Sequence, residues 1–429
     1  MYKQYFKQAV RMLGENPLLS VISILGTALA IAMIMVIVIV YEVRNANYEP
    51  ETNRDRMLYL KAGVDQNETG GHDIAYLGYK VIHDALYPLK SAEAVSAVCP
   101  YITRLASVPG GTNEFKCDVS GTDAAFWKVF GFRFVDGKPY VEADVESGLH
   151  KAVVTEEVAR RLYGSVDVVG KPLQLSFVNY TICGVVPAVS LLAESAYASV
   201  WVPFTSMGTY HYQPEQEGRG INGTFFCFIL ARSADDFPAI KAEVAQRAKG
   251  FNAALTDGHS WDLVNQPDTR LEQLSRPLIN VDPDVKGMVI RYAIIVLIML
   301  LVPAINLSGM TLSRMTKRME ELGVRKAFGA TRRELVRQIL YENMVLTLLG
   351  GVVGLALSYF AVAALRDWLL STQMGGYLNG ATLLNAEMLF SPAVFVCAFL
   401  FCLLMNLLSA GVPAWRTSGK NITESLNQQ

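Results

Sequence analysis

The sequence predicts a membrane protein in which a four-helix transmembrane bundle carries a large α+β extracytoplasmic domain, inserted between the first and second spans. Hydrophobic residues make up 52% of the 429 residues and charged residues only 18%, which is too apolar for an ordinary soluble protein. The apolar residues gather in four stretches without a single charge, each long enough to cross a bilayer core of about 30 Å. The long segment between the first two stretches is polar enough to fold in water.

We place the four spans at 18–43, 288–313, 343–365 and 391–412. The first could be taken for a secretion signal, because lysine and arginine precede it. It is longer than the apolar core of a signal, and no small-residue cleavage site follows it, so we expect a retained span.

The positions of lysine and arginine orient the spans. Basic residues prevail in the N-terminal arm (1–17), in the loop 314–342 and in the tail 413–429, whereas the loop 366–390 holds one arginine and two acidic residues. The segment 44–286 has 23 Lys/Arg and 30 Asp/Glu, a net charge of −7, and the remainder carries +6. Cytoplasmic loops are enriched in Lys and Arg, so we expect a multi-pass protein of the inner (cytoplasmic) membrane with both termini cytoplasmic and 44–286 outside.

The extracytoplasmic segment 44–286 contains two β-α-β patterns. Residue periodicity predicts strand, helix and strand at 57–62, 74–86 and 95–106, and again at 224–231, 235–249 and 261–265. Together they predict a ferredoxin-like α+β layer, with a strand-rich insert at about 109–219 between the two units.

The loop 314–342 is predicted to be a bent, charged segment that continues into the third span. Gly329 can adopt the left-handed conformation that ends a helix. Thr331 followed by Glu334 is a capping box, so a new helix begins there. Such a segment is suited to passing force from a soluble partner to the membrane. Its basic residues also obey the positive-inside rule, which is enough to explain any one of them taken singly.

Residues 321–330, with the sequence ELGVRKAFGA, closely resemble the intracellular-loop signature of the FtsX/MacB-type ABC permeases. Within the insert, KAVVTEEVARRLYG at 151–164, VGK at 169–171 and YTICGVV at 180–186 are similar to the periplasmic core domain of the same family. With further matches in the tail, the resemblance covers most of the chain.

The resemblance implies a permease subunit of a mechanotransmitting ABC system, in which a separate ATPase drives motion of the extracytoplasmic domain. The loop signature is then expected to dock on that ATPase through Glu321, Gly323, Arg325, Lys326, Phe328 and Gly329. Phe328 is a large apolar side chain in a loop dominated by charge and is expected to be the anchor. The alternative is that Phe328 packs on its own subunit.

The resemblance also implies partners: a separate ABC ATPase subunit, a second permease copy or a paralogue, the lipid bilayer and, in export, a periplasmic adaptor and an outer-membrane duct. We expect no nucleic acid and no cofactor. Export and release of a substrate in the cell envelope both remain open. The alternative function is a membrane signalling or hydrolase-activating scaffold with no transported substrate. A secondary transporter is disfavoured, because it would need more spans and ionisable residues at mid-membrane.

No catalytic or metal-binding pattern stands out, so a non-catalytic subunit is expected. The five histidines lack metal-ligand spacing. Cys99, Cys117, Cys183 and Cys227 lie in the extracytoplasmic segment without CxxC spacing, and either disulfides or burial as small apolar residues would suit them.

Small and helix-bending residues mark two of the spans. Gly350, Gly351 and Gly354 predict close helix packing in the third span, within one subunit or between two. Pro303 and Asn306 in the second span predict either a kink that transmits motion or ordinary interhelical packing.

Overall fold

The computed structural model describes residues 17–298 except 62, 69, 112, 209–219 and 257, and then 301, 309, 324, 328–329, 331–370, 378–384, 396, 399–400, 403–404, 407 and 415. The chain divides into two compact units. The helical unit comprises Met1–Val43, Val289–Leu369 and Ala386–Gln429. The sheet unit comprises Arg44–Met288 and Leu370–Asn385, so the chain enters it twice.

The described helices are α1 (Pro17–Asn45), α2 (Tyr79–Val81, continued by a π-helical turn at Ile82–Leu86), α3 (Phe126–Val129), α4 (Glu142–Glu146), α5 (Glu156–Tyr163), α6 (Phe237–Ala253), α7 (Arg270–Ser275), α8 (285–298), α9 (Arg332–Ala364) and α10 (Arg366–Leu369). Short 3₁₀ turns lie at Arg54–Arg56, Phe204–Met207 and Ala234–Asp236. The strands are β1 (Met57–Leu60), β2 (Gly63–Asn67), β3 (His72–Leu77), β4 (Ala94–Ser107), β5 (Phe115–Thr122), β6 (Asp136–Gly137), β7 (Lys151–Thr155), β8 (Pro172–Leu175), β9 (Val178–Val186), β10 (Val200–Pro203), β11 (Asn222–Gly223), β12 (Phe226–Leu230) and β13 (His259–Asp262).

Two of the described helices are long and apolar enough to cross a membrane. These segments, Ser20–Asn45 and Arg333–Ala364, contain most of the predicted first and third spans. Helix α8 covers the start of the predicted second span and exposes apolar side chains such as Ile290 and Leu297. The rest of that span and most of the fourth lie outside the described residues, so the count of four spans stays a prediction.

A glycine face on α9 packs against α1 of the same chain. A Cβ atom added at Gly350 would lie 2.8 Å from the Thr27 Cβ, and one added at Gly354 would lie 2.6 Å from the Ala28 carbonyl oxygen. Only glycine allows this approach, because real Cβ atoms do not come so near to their neighbours. Of the two roles predicted for Gly350 and Gly354, packing within one subunit is therefore observed.

The two β-α-β patterns interleave in the sheet unit. Among the described residues, nine strands form one sheet in which β12 lies between β1 and β4 and is antiparallel to both. The two strands of the first pattern are β1 and β4, and β12 is the first strand of the second pattern. The first strand of the second pattern therefore lies between the two strands of the first, as a ferredoxin-like layer requires. The fourth strand, β13, pairs with β2, which follows β1 directly along the chain, in a separate sheet with β3 and β11. Helix α6 packs against α2 and β13.

Two of the sequence-based boundaries were wrong. The helix predicted at 74–86 begins only at Tyr79, because Ile74 to Leu77 belong to β3 and pair with β2 and β11. The apolar spacing of that stretch fits a helix and a half-buried strand equally well. The strand predicted at 261–265 ends at Asp262, because Val264 and Asn265 adopt positive φ angles of 47° and 58° and cannot extend the ladder.

The strand-rich insert builds a closed ring of six strands. The pairing path runs β4, β5, β10, β7, β9 and β8, and β8 returns to β4 through Ala106 and Ser107. Apolar side chains fill the ring, among them Val119, Val154, Ile182 and Val202. The long strand β4 belongs to both parts of the sheet, and its register shifts between Cys99 and Ile102, around Pro100. Proline has no amide hydrogen to donate to the ladder, which accounts for an irregularity at this point.

The glycine face can be tested with a matched pair of alanine variants. Gly354→Ala places a Cβ against a backbone carbonyl that has no freedom to rotate away, and should destabilise the protein by about 1–3 kcal/mol. Gly26→Ala adds the same methyl group to α1 where no atom lies within 4 Å, and should leave the stability unchanged or slightly raised. Thermal unfolding of the purified protein in detergent measures both; equal melting temperatures would contradict the close packing.

Candidate functional site

The bend that precedes α9 has the conformation expected from its sequence. Gly329 lies at φ 91°, in the left-handed region. Thr331 caps α9, since its hydroxyl accepts a hydrogen bond from the Glu334 amide at 3.4 Å and the Glu334 carboxylate accepts one from the Thr331 amide at 2.9 Å. The helix end at Gly329 and the restart at Thr331 are confirmed.

Phe328 is the exposed apolar residue of this bend. Its amide donates to the Val324 carbonyl at 3.1 Å, as in a helical turn, while its side chain is 88% exposed. Packing of Phe328 on its own subunit, the alternative prediction, is not observed among the residues that the structure describes. The other four predicted docking residues, and the two predicted kink residues, lie outside the described residues: Glu321, Gly323, Arg325, Lys326, Pro303 and Asn306.

A second group of residues, which we call the junction cluster, surrounds the C-terminal end of α1. It consists of Tyr48, Glu51, Arg54 and Arg270. Arg54 is 1% exposed, and its guanidinium donates to the Glu51 carboxylate at 2.5 Å and to the Tyr48 hydroxyl at 2.6 Å. The guanidinium also lies 4.0 Å from the centroid of the Tyr48 ring. The buried guanidinium therefore has hydrogen-bond acceptors and a stacked aromatic ring as partners, as the burial of a charge requires.

The junction cluster binds the end of α1 through backbone carbonyls. Arg54 donates to the carbonyls of Arg44 and Ala46 at 3.4 and 3.1 Å, and Arg270 donates to the same Arg44 carbonyl at 3.0 Å. The last carbonyls of a helix have no partner within the helix and carry a partial negative charge. Two guanidinium groups therefore complete and stabilise this helix end.

The Glu51 carboxylate connects the cluster to the 190s loop. It accepts hydrogen bonds from the amides of Ser195 and Ala196 at 2.8 and 3.3 Å, and Arg54 donates to the Leu192 carbonyl at 2.8 Å. Sequence reasoning missed this cluster, because its partners are about 140 residues apart and the stretch from Arg44 to Arg54 has the composition of an ordinary polar loop.

The opposite charges of Glu51 and Arg54 favour the ionised form of both side chains. Burial would raise the pKa of Glu51, but the Arg54 and Arg270 guanidiniums outweigh it and hold that pKa below its ordinary value of 4.5. Burial likewise opposes the charge on Arg54, yet the Glu51 carboxylate raises its pKa. Because the folded pKa of Glu51 is depressed, the pair stabilises the fold above pH 4.5, and this stability is lost as the pH falls through the folded pKa.

The outer segment, residues 378–384, is bound within the sheet unit. The Asp118 carboxylate is fully buried and accepts hydrogen bonds from the Asn379 amide at 2.7 Å, from the Asn379 side chain at 2.8 Å and from the Tyr197 hydroxyl at 2.8 Å. Leu383 donates its amide to the Ser190 hydroxyl at 3.0 Å. Along the chain this segment lies between the predicted third and fourth spans, where sequence reasoning expected only a short outer loop.

The cysteines of the sheet unit form no disulfide among the described residues. The four extracytoplasmic cysteines are free thiols there, and all but Cys183 are buried. Burial raises the pKa of Cys117 to about 12, so this thiol stays protonated and unreactive. No group of three or more metal-ligating side chains occurs among the described residues.

Comparison with known families agrees with this architecture. Residues 20–247 match the model of the MacB-like periplasmic core domain, and residues 293–422 match that of the FtsX-like permease C-terminal domain. The first model covers more than half of the chain. The chain belongs to the FtsX/MacB-type ABC permease family. It is therefore a membrane protein with a large extracellular domain.

Curated relatives of this permease are longer than the chain itself. Over 432 residues it is 23% identical to the macrolide export ATP-binding/permease protein MacB 1 of Yersinia pestis bv. Antiqua (strain Antiqua), with 100% of this chain and 61% of that protein covered. It is 24% identical over 420 residues to the MacB protein of Shewanella sp. (strain W3-18-1), covering 96% of this chain and 59% of that protein. The permease thus spans about three fifths of the length of these relatives.

Two solved structures are similar to the permease over about half of its length. The extracellular domain of the noncanonic ABC-type transporter YknZ from Gram-positive bacteria is 15% identical, covers 48% of this chain and 99% of its own, and gives a TM-score of 0.36. The periplasmic region of MacB from Actinobacillus actinomycetemcomitans is 15% identical, covers 50% of this chain and 90% of its own, and gives a TM-score of 0.35.

The junction cluster should be sensitive to loss of either charge. Arg54→Met keeps the bulk of the side chain but leaves the Glu51 carboxylate buried without its cation, and should destabilise the sheet unit by about 3–5 kcal/mol. Arg160→Met removes an exposed arginine whose nearest acid, Glu156, is 3.9 Å away, and should cost less than about 1 kcal/mol. Denaturant unfolding followed by tryptophan fluorescence measures both. A loss with Arg54→Met no larger than that of the control would show that the pair does not hold the fold.

The outer segment should loosen when Asp118 is changed. Asp118→Asn replaces an acceptor oxygen by an NH₂ group that faces other donors, so hydrogen exchange of the amides of 378–384 should become about 10- to 100-fold faster. Asp167→Asn makes the same change at an exposed aspartate and should leave these rates unaltered. Unchanged exchange in the Asp118 variant would mean that the carboxylate does not fix this segment.

Proposed function

We propose that this permease is the membrane subunit of a mechanotransmitting ABC system, in which ATP hydrolysis by a separate ATPase is coupled to motion of the extracellular domain. The observation that carries the proposal is the bend before α9, where an exposed phenylalanine stands at the end of a charged loop and directly before a capped apolar helix. The motion serves export or release of a substrate in the cell envelope.

The docking surface is the stretch from Glu321 to Gly329. Phe328 supplies a large apolar side chain that is 88% exposed, and aromatic anchors that enter a pocket dominate the energy of an interface. Arg325 and Lys326 pair with acidic groups at the rim of that pocket and set the orientation of docking. Gly329, at φ 91°, fixes the direction in which α9 leaves the docked loop.

The extracellular end of the mechanism lies in the junction cluster. A displacement of α1 along its axis reaches the carbonyls of Arg44 and Ala46, to which Arg54 and Arg270 donate. Arg54 is buried and also bound to Glu51, so these carbonyls are held by charged groups of the sheet unit. Asp118 holds the outer segment in the same unit.

The partners follow from the family and from the chain's own sequence. The curated relatives carry "ATP-binding/permease" in their names, so an ATP-binding part acts with the permease part in those proteins. We infer that a separate ABC ATPase completes the system here and that a second permease copy or a paralogue pairs with the first. Both termini and the docking loop face the cytoplasm of an inner-membrane protein. A periplasmic adaptor and an outer-membrane duct complete the path when the substrate is exported.

Loss of the aromatic anchor should release the ATPase. Phe328→Ala should weaken docking by about 2–4 kcal/mol, roughly 30- to 1,000-fold, because a buried aromatic anchor carries much of an interface's energy. Co-purification of the ATPase partner with the full-length permease from membranes, and the ATPase activity that the permease stimulates, measure the effect.

Phe177→Ala is the matched control, because Phe177 is 84% exposed and lies in the sheet unit. It should retain the ATPase fully. If the Phe328 variant inserts in the membrane and retains the ATPase as well as the Phe177 variant does, the bend before α9 is not the docking surface.

A further inference from the structure

The sheet unit contains a cavity that shares Arg270 with the junction cluster and is also lined by Arg44, whose carbonyl that cluster binds. Its volume is about 350 Å³, within the range of small-molecule sites, which is about 300–1,000 Å³. Four cations line it, Arg44, Lys61, Arg270 and Arg276, against two acids, Glu194 and Asp268. The cavity therefore carries an excess of positive charge inside a domain whose sequence is acidic overall.

Most of these charges already have partners. Arg276 donates to both oxygens of the Asp268 carboxylate at 2.6 Å, and Arg270 donates to the Arg44 carbonyl and to Gln273. Lys61 differs from them. Among the residues that the structure describes, its ammonium group has neither a hydrogen bond nor an ion pair, and the charge instead faces aromatic rings.

The aromatic rings hold the Lys61 ammonium in place. Its nitrogen lies 5.1 Å from the centroid of Phe226, 5.8 Å from that of Tyr59 and 6.0 Å from that of Phe228. Ring faces attract a cation at these distances but offer no acceptor for its three hydrogens. Burial accordingly lowers the pKa of Lys61, and the neighbouring Glu194 counters this only in part.

A second polar group in the cavity also lacks an acceptor or donor. The Tyr59 side chain is fully buried and lines the cavity, and its hydroxyl has no hydrogen bond of normal geometry among the described residues, although the Arg270 guanidinium lies beside it. Leaving a buried hydroxyl unpaired costs about 1–3 kcal/mol. An oxygen-bearing ligand would satisfy this hydroxyl and the Lys61 ammonium together.

Aliphatic side chains form much of the remaining wall of the cavity: Leu192, Leu274, Leu278, Ile279 and Leu370. Gln266 and Gln273 are further polar residues of this lining. A cavity lined by both cationic and aliphatic side chains is suited to a ligand with a charged head and an apolar body.

We propose that this cavity binds an amphiphile with an anionic head, a carboxylate or a phosphate monoester, whose oxygens contact Lys61 and Tyr59 while its chain lies against the leucines. The ligand supplies the hydrogen-bond acceptors that the aromatic rings around the ammonium cannot offer. Binding needs the protonated amine, so it should weaken as the pH rises through the pKa of Lys61. Glu194, Glu51 and Asp268 favour that protonated form, and Arg270 opposes it.

The test uses the full-length permease in nanodiscs of phosphatidylcholine, with empty nanodiscs as the blank. Octanoate, octyl phosphate and octanol are titrated in turn and binding is followed by calorimetry. Octanoate or octyl phosphate should bind and octanol should bind at least about 10-fold more weakly, because a hydrogen bond to a charged group adds about 1.5–3 kcal/mol. The anion that binds identifies a fatty-acid or a phospholipid-like head.

Variants of the lining residues test whether the ligand binds in this cavity. Lys61→Met should weaken the anion by about 10- to 100-fold, and Lys61→Arg should largely restore it. Lys116→Met, at an exposed position of β5, should change nothing. Leu278 is 64% exposed, so Leu278→Trp should fold normally while it fills part of the cavity and reduces binding.

Three outcomes would overturn the proposal: neither anion binds above the blank, octanol binds as tightly as the anions, or Lys61→Met and Leu278→Trp both bind like the unmodified permease. If Lys61→Met does not fold, Leu278→Trp and the pH series of the unmodified permease decide. A pH-independent affinity together with unaltered binding by Leu278→Trp would then count against the proposal.

Discussion

The buried pair of Arg54 and Glu51 is the interaction on which the start of the sheet unit depends. It stands where the first span ends, and it joins that helix end to the loop around Leu192 and Ser195, about 140 residues further along the chain. A buried ion pair contributes little to stability when it is compared with well-packed apolar residues. We infer that the pair instead fixes one local conformation, because a charge in a dry interior is stable only where its hydrogen bonds are satisfied.

The strand β4 gives the sheet unit a similar internal coupling. Its first half pairs with β12 in the ferredoxin-like layer, and its second half pairs with β5 and β8 in the closed ring. Because one continuous strand serves both parts, they share backbone hydrogen bonds rather than a linker. The ferredoxin-like layer and the closed ring are therefore parts of one continuous hydrogen-bonded sheet.

Short sequence patterns predicted correctly the features that depend on neighbouring residues alone. The turn at Gly329 and the cap formed by Thr331 and Glu334 each depend on a few adjacent residues, and each was found as expected. The start of α2 was misplaced because the spacing at Ile74 to Leu77 suits a helix and a strand alike, and only the pairing partner β2 decides between them. The contact between Asp118 and Asn379 joins residues 261 positions apart, and nothing in one sequence marks such a pair.

The binding of the outer segment has a consequence for work with isolated domains. A soluble fragment that stops at Met288 contains the whole of the nine-stranded sheet but omits Asn379. Its Asp118 carboxylate then keeps the Tyr197 hydroxyl and loses two of the donors that it has in the full chain. Water must take the place of these donors, and the surface around Ser190 and Tyr197 that binds residues 378–384 becomes exposed. A crystal or a binding assay made from such a fragment would report on a face that the intact permease covers with its own chain.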